Sequence, residues 1–171
     1  INLFTDVPEV EAKVRRRKYL DSLLARIRFK QENTYLYLFA RRALRGAEFG
    51  GLFFRLLIVG GVLLLSLNDF RFIAGVSMLF IYLIGFQMIP LYNQFDYISA
   101  TQLYPVSQKY KKTALRQLMV ILLSAAAIIF TICSMIHLSI VGSFALLVLL
   151  LGEIGLFAWF YLPTRIKKME D

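Results

Sequence analysis

Three features of this 171-residue chain predict an all-α, polytopic membrane fold: four transmembrane helices preceded by cytosolic or interfacial amphipathic helices. Four apolar runs, at about 50–67, 72–89, 118–136 and 138–162, are each long enough to cross a hydrocarbon core, which takes roughly 20 helical residues. Lys and Arg gather on one side of these runs. Hydrophobic residues make up 58% of the chain, against roughly 45–50% in a soluble domain, so no separate soluble core is needed to bury them.

Residues 1–49 are too few and too basic for an independent core, and they read as cytosolic and interfacial helices. Asp6-Val7-Pro8-Glu9 marks a turn into a helix, with Pro8 suited to the first helical position and Glu9 and Glu11 where the helix dipole favours acids. The helix runs to about Arg28. Leu20, Leu23, Leu24 and Ile27 follow the i, i+3, i+4, i+7 pattern, while Arg15, Arg16, Arg17, Lys18, Arg26 and Arg28 make it basic. Such a helix lies on a membrane surface or a partner. After the polar break at 30–33, a second stretch puts Leu36, Phe39, Ala40, Ala43 and Leu44 on one face, with Asn33 or Thr34 as its cap and Gly46 as its stop. An interfacial helix bending into the first span is the natural reading. The alternative is that both helices are only topology signals, with Tyr35 and Tyr37 in an interfacial aromatic belt.

The remainder divides into a first transmembrane hairpin (50–89), a central cytosolic loop (90–117), a second hairpin (118–162) and a tail (163–171). Arg55 lies about one turn inside the first span, where its long side chain reaches toward the headgroups. Eleven basic residues, Lys13 through Arg45, precede that span. Lys109, Lys111, Lys112 and Arg116 follow the second span, and Arg165, Lys167 and Lys168 follow the fourth. The two other turns contribute only Arg71. Both ends and the central loop are therefore expected in the cytosol of a multi-pass protein. The net charge of +9 then describes contact with anionic lipid and not with nucleic acid, because the charges flank membrane spans. Cys133 is the single cysteine, inside a span, and reads as a packing residue. The chain opens at Ile1 with no signal-peptide pattern and reads as the later part of a longer polypeptide.

An acid within the membrane costs roughly 2.5–3.5 kcal/mol at the centre of a helix, so Glu153 demands compensation. Three readings remain open: pairing with Arg55, whose depth differs by only about 6 Å at 1.5 Å per residue; lining a polar cavity; or a protonated carboxyl among helices. Gln87, just before Pro90, is the other intramembrane polar candidate, bonding across helices or sitting at the interface. Gly60-Gly61, Gly152 with Gly155, and Ser124-Ala125-Ala126-Ala127 are small-residue patches expected to let helices approach. His137 falls at an outer turn and needs no special role.

The chain has no nucleotide-binding loop and is not expected to hydrolyse ATP itself. One His and one Cys argue against a metal site, and neither a His-Glu-x-x-His helix nor paired intramembrane aspartates are present for an intramembrane protease. No catalytic residue and no cofactor are assigned to this chain.

The second span runs out through Gly85-Phe86-Gln87-Met88-Ile89-Pro90-Leu91-Tyr92, where Pro90 ends or kinks the helix. Residues 95–103 are long enough for a two-turn helix, and Pro105 makes Tyr104 extended. These residues, with Asn2-Leu3-Phe4-Thr5-Asp6-Val7-Pro8, Arg15-Arg16-Arg17-Lys18-Tyr19-Leu20-Asp21, Thr34-Tyr35-Leu36-Tyr37 and Glu48-Phe49-Gly50-Gly51-Leu52, resemble the EcsB family of bacterial ABC-transporter membrane subunits. The likeness covers most of the chain up to Arg116; the last two spans share only hydrophobic pattern. The resemblance implies a permease subunit in a bacterial cell membrane, paired with a separate ATPase, EcsA, which binds the ATP and Mg, in two copies of each. It implies export of small or hydrophobic peptides, a link to an intramembrane protease, and further membrane helices ahead of Ile1. It carries over no catalytic residue. Physical candidates for coupling to the ATPase are Tyr92, Phe95, Asp96, Tyr104 and Pro105, with Arg15, Arg16, Arg17 and Lys18 as a second dock; the aromatics fit interfacial anchoring equally. A non-transport scaffold for the protease, or an integral membrane enzyme, are the rival classes.

Overall fold

The computed structural model describes residues 34–95 and 108–170, and every regular element among them is helical. In chain order they are α1 (Thr34–Arg45), α2 (Ala47–Leu65), α3 (Phe70–Met88), a 3-10 segment (Ile89–Phe95), α4 (Gln108–Ser134), α5 (Ile140–Leu156), a π turn (Phe157–Tyr161) and α6 (Leu162–Glu170). Four stretches are long and apolar enough to cross a membrane: Glu48–Leu65, Phe70–Asn93, Tyr110–Ser134 and Ile140–Lys168. α2 pairs with α3, and α4 with α5, as two hairpins. The basic helix expected to run to about Arg28 and the two-turn helix expected within 95–103 fall outside the described residues.

Helix α4 is the hub, because α1, α2, α3, α5 and the π turn all pack on it. Its sequence explains this. Two ridges at i+4 spacing are buried along its whole length: Lys111, Leu115, Met119, Leu123, Ala127, Thr131, and Ala114, Leu118, Leu122, Ala126, Phe130, Ser134. Two adjacent ridges make a stripe broad enough to serve neighbours on both sides. Its hydroxyls bond within the helix, Thr131 Oγ1 donating to the Ala127 carbonyl and Ser134 Oγ to the Thr131 carbonyl, each at 2.8 Å. The helix begins at Gln108, well before the apolar run that starts near 118. Hydropathy marks only the immersed part, and Lys and Arg are good helix formers that carry the helix on beyond it.

Helix α1 buries Tyr35, Phe39, Ala40 and Ala43 against α4 and α2, with Leu36 and Leu44 partly covered. The apolar face expected at the membrane surface is thus met by protein. Gly46 separates α1 from α2 in an extended conformation, and a Cβ there would collide with the Arg42 carbonyl. Gly60 brings α2 onto an edge-to-face ring pair, Phe80 of α3 and Phe130 of α4, while Cys133 packs beside Gly61. Gly152 and Gly155 do not act this way, since a Cβ at either meets nothing within 4 Å.

The fourth span carries an irregularity. Pro163 has no N–H to offer Trp159 and its ring crowds that carbonyl, and the helix widens just ahead of it into the π turn. There Leu162 N–H donates to the Phe157 carbonyl, five residues back. Phe157 fills the space that Gly85 leaves on α3.

Candidate coupling site at the basic end of the bundle

Arg41, Arg42, Lys111, Lys112, Arg116, Arg165, Lys167 and Lys168 all lie toward one end of the bundle, the end where α1 joins α2 and α3 gives way to the 3-10 segment. Pro90 causes that change. It cannot continue the i to i−4 ladder, the Ile89 N–H turns to the Phe86 carbonyl, and the chain tightens to 3-10 geometry. The segment is built into the core, with Ile89, Leu91 and Tyr92 buried.

Tyr92 is only 2% exposed, so it is not a surface contact, contrary to what a direct docking role needs. It lies beneath Lys111 of α4, whose ammonium is 3.9 Å from the ring centroid. Lys111 is itself 3% exposed. Phe95 closes the 3-10 segment. Asp96, Tyr104, Pro105, Arg15, Arg16, Arg17 and Lys18 lie outside the described residues.

Three further cation–aromatic contacts tie this end together. The Arg116 guanidinium of α4 stands 5.6 Å from the Trp159 ring in the π turn. Arg165 stands 5.8 Å from Phe86 on α3 and 5.9 Å from Tyr161, and its Nε–H donates to the Tyr161 hydroxyl at 3.3 Å. Tyr82 of α3 donates to the same hydroxyl at 3.1 Å. At the far end, His137 Nε2 bonds the Leu65 carbonyl at 2.9 Å, joining the α4–α5 turn to the end of α2. Sequence reasoning missed all of these. For Lys111 a signal existed: it falls on the same i+4 ridge as Leu115 and Met119, so a helix continued backward puts it on the core face.

The intramembrane polar residues are not brought together. Arg55 is exposed on α2, whereas Glu153 is half-buried and its Oε2 has no hydrogen-bond partner among the described residues. The anticipated Arg55–Glu153 ion pair is therefore not formed. Depth along the axis is readable from sequence, but the direction a side chain takes around its helix depends on which neighbours cover it. Gln87 is half-buried, its Oε1 also without a partner among the described residues, in a shallow cleft between α2 and α3 that Phe49, Leu52, Phe53, Leu56, Ile84 and Met88 complete.

The family described as "Bacterial ABC transporter protein EcsB" matches residues 1–152. The relative named "Protein EcsB" from Bacillus subtilis (strain 168) is 33% identical over 168 residues, which is 98% of this chain and 41% of the relative. The chain thus spans about two fifths of that relative's length. No solved structure matches it. Four membrane-length helices and an ABC-transporter family fit a multi-pass membrane protein. With the family match reaching from the first residue into the fourth span, and the relative's match covering nearly the whole chain, the chain belongs to the EcsB family.

Proposed function

We propose that this chain is the membrane-embedded permease part of an ABC transporter, coupling ATP hydrolysis in a separate EcsA-like ATPase to export of small or hydrophobic peptides. The observation that carries the reading is membership of a family described as an ABC transporter protein, joined to a four-span helical body. In this reading the basic end faces the cytosol, as the concentration of Lys and Arg supports, and both ends of the chain lie there. The ATPase grips that end through the central segment, with Phe95, Asp96, Tyr104 and Pro105 as contacts and Arg15 to Lys18 as a second dock. ATP and Mg belong to the ATPase. A second permease copy, anionic lipid around the basic residues, a peptide cargo and an intramembrane protease complete the partners; nucleic acid is not one of them. Closure of the ATPase pair tilts the spans, which requires contacts that differ between two states.

The test is gentle extraction of the tagged full-length protein from its native membrane, identification of co-purifying chains by mass spectrometry, and an ATP hydrolysis assay on the same sample. A stoichiometric ATPase is the expected result. Recovery without one, under conditions that keep other membrane complexes whole, overturns the transporter reading in favour of a protease scaffold or an enzyme.

A further inference from the structure

We propose that Lys111 is a positioning residue for coupling: by holding the Tyr92 ring it clamps the two ends of the central segment, so that a load applied there reaches α3 and α4 together. The inference rests on the transporter reading above and adds to it the joint through which movement is passed on.

Lys111 is the one charged residue that is buried among the described residues. Lysine is almost never fully buried without a partner, since its ammonium loses hydration that only a strong contact replaces. The face of Tyr92 at 3.9 Å is such a contact, well inside the roughly 6 Å over which a ring attracts a cation. The two residues come from opposite sides of the central segment. Tyr92 is fixed to α3 through the 3-10 segment, and Lys111 stands in the first turn of α4. Leu91 and Leu115, both fully buried, seal the same level of the bundle with apolar surface.

The charge is not needed to hold the helices together. α3 and α4 already pack directly on each other, and the ridge that carries Lys111 is otherwise apolar or self-bonded. Methionine fills nearly the same volume, so packing alone gives no reason for a lysine here. What the ammonium adds is attachment across the base of the segment: without it, the facing ends of α3 and α4 are joined by apolar packing alone, and part of the stroke is lost as relative movement there.

The experiment uses the purified full-length complex and reads two quantities: the amount of ATPase recovered per membrane chain, and the stimulation of ATP hydrolysis relative to the ATPase alone. For Lys111→Met the expected result is unchanged ATPase recovery with stimulation lowered about fivefold, the population shift that one exposed-to-buried cation–π contact supports. Lys111→Arg, which keeps a cation over the ring, is expected within about twofold of wild type. Tyr92→Leu should also lower stimulation with the ATPase bound, and the double variant should fall less than the two single losses combined, as a shared contact requires. Wild-type stimulation in Lys111→Met with the ATPase bound overturns the inference and leaves the transporter reading standing. Should Lys111→Met not accumulate, Tyr92→Leu carries the test alone, and unchanged stimulation there overturns the inference equally. A wild-type sample lacking an ATPase overturns the underlying reading, and is seen before any variant is made.

Discussion

Gly60→Ala and Gly61→Ala make the same chemical change one residue apart on α2, and the structure predicts opposite outcomes. A Cβ at Gly60 would stand 2.8 Å from Phe130 Cζ and 3.0 Å from two atoms of the Phe80 ring. Neither ring has room to yield: Phe130 is fully buried, Phe80 is 6% exposed, and the two hold each other edge to face at 6.3 Å. Overpacking of this kind costs about 1–3 kcal/mol. A Cβ at Gly61 meets only Cys133 Sγ at 3.7 Å, an ordinary contact. Both variants gain helix propensity, about 1 kcal/mol on scales measured in water. That gain cancels in the comparison, leaving Gly60→Ala less stable than Gly61→Ala by about 1–3 kcal/mol. Unfolding by SDS titration of the detergent-solubilised protein measures the difference directly. Equal stabilities, or a more stable Gly60→Ala, would show that α2 does not approach α3 and α4 closely at this level and would refute the bundle geometry.

Because Glu153 Oε2 has no partner among the described residues, Glu153→Gln is expected to leave the unfolding midpoint unchanged or raise it. A loss of about 3 kcal/mol, the cost of breaking a buried ion pair, would contradict this. Arg55→Ala, at an exposed position, should stay within about 0.5 kcal/mol of wild type in the same titration. His137→Ala removes the bond to the Leu65 carbonyl and should cost about 1 kcal/mol; no change in midpoint would mean that the turn is held by its backbone bonds alone. In a Cys133→Ala background, a membrane-impermeant maleimide applied to intact cells should label Asn68→Cys and leave Lys168→Cys unlabelled, and the reverse pattern would overturn the proposed orientation.

The spans were legible because partition into a bilayer is summed over some twenty residues, and no local detail competes with it. Pro90 and Gly46 announced their breaks for equally simple reasons, a missing N–H and a missing Cβ. Gly60 was legible as a close approach, but Gly152 and Gly155, the same residue type in the same kind of span, face open space. The difference is azimuthal: sequence shows that a helix can be approached, and only the arrangement of neighbours shows from which side. The Arg55–Glu153 pairing failed for that reason, since matched depth does not place two side chains on facing surfaces. Pro163 did carry a readable signal for the π turn, yet it fell where hydropathy declines and read as the start of a tail. Tyr92 read as a coupling contact or an interfacial anchor, because nothing local reveals that Lys111 and the start of α4 close over it.

The two ends of the bundle are held by different chemistry, and this bears on which end is able to move as a unit. The cation–aromatic contacts described here, Lys111 with Tyr92, Arg116 with Trp159 and Arg165 with Phe86 and Tyr161, all lie at the basic end. Together they join α3, α4 and the fourth span. At the other end the ties include hydrogen bonds of the turns: the Gly142 N–H donating to Ser139 Oγ at 3.3 Å, and His137 Nε2 with the Leu65 carbonyl at 2.9 Å. A hydrogen bond weakens steeply when its angle falls below about 120°, so these bonds favour a narrow range of turn geometry. A cation over a ring keeps its attraction across distances to about 6 Å, so contacts of that kind keep α3, α4 and the fourth span joined through small shifts. Helix α2 stands outside the basic-end set, meeting α3 there through the cleft where Gln87 Oε1 has no donor among the described residues. In the proposed transporter reading, a load on the central segment moves α3, α4 and the fourth span together against α2 at the α2–α3 seam, since no cation–aromatic contact among the described residues ties α2 to them. A disulfide engineered across that seam near Gln87, on the Cys133→Ala background, should abolish coupling while leaving the ATPase bound, and full coupling in the crosslinked state would exclude this direction of movement.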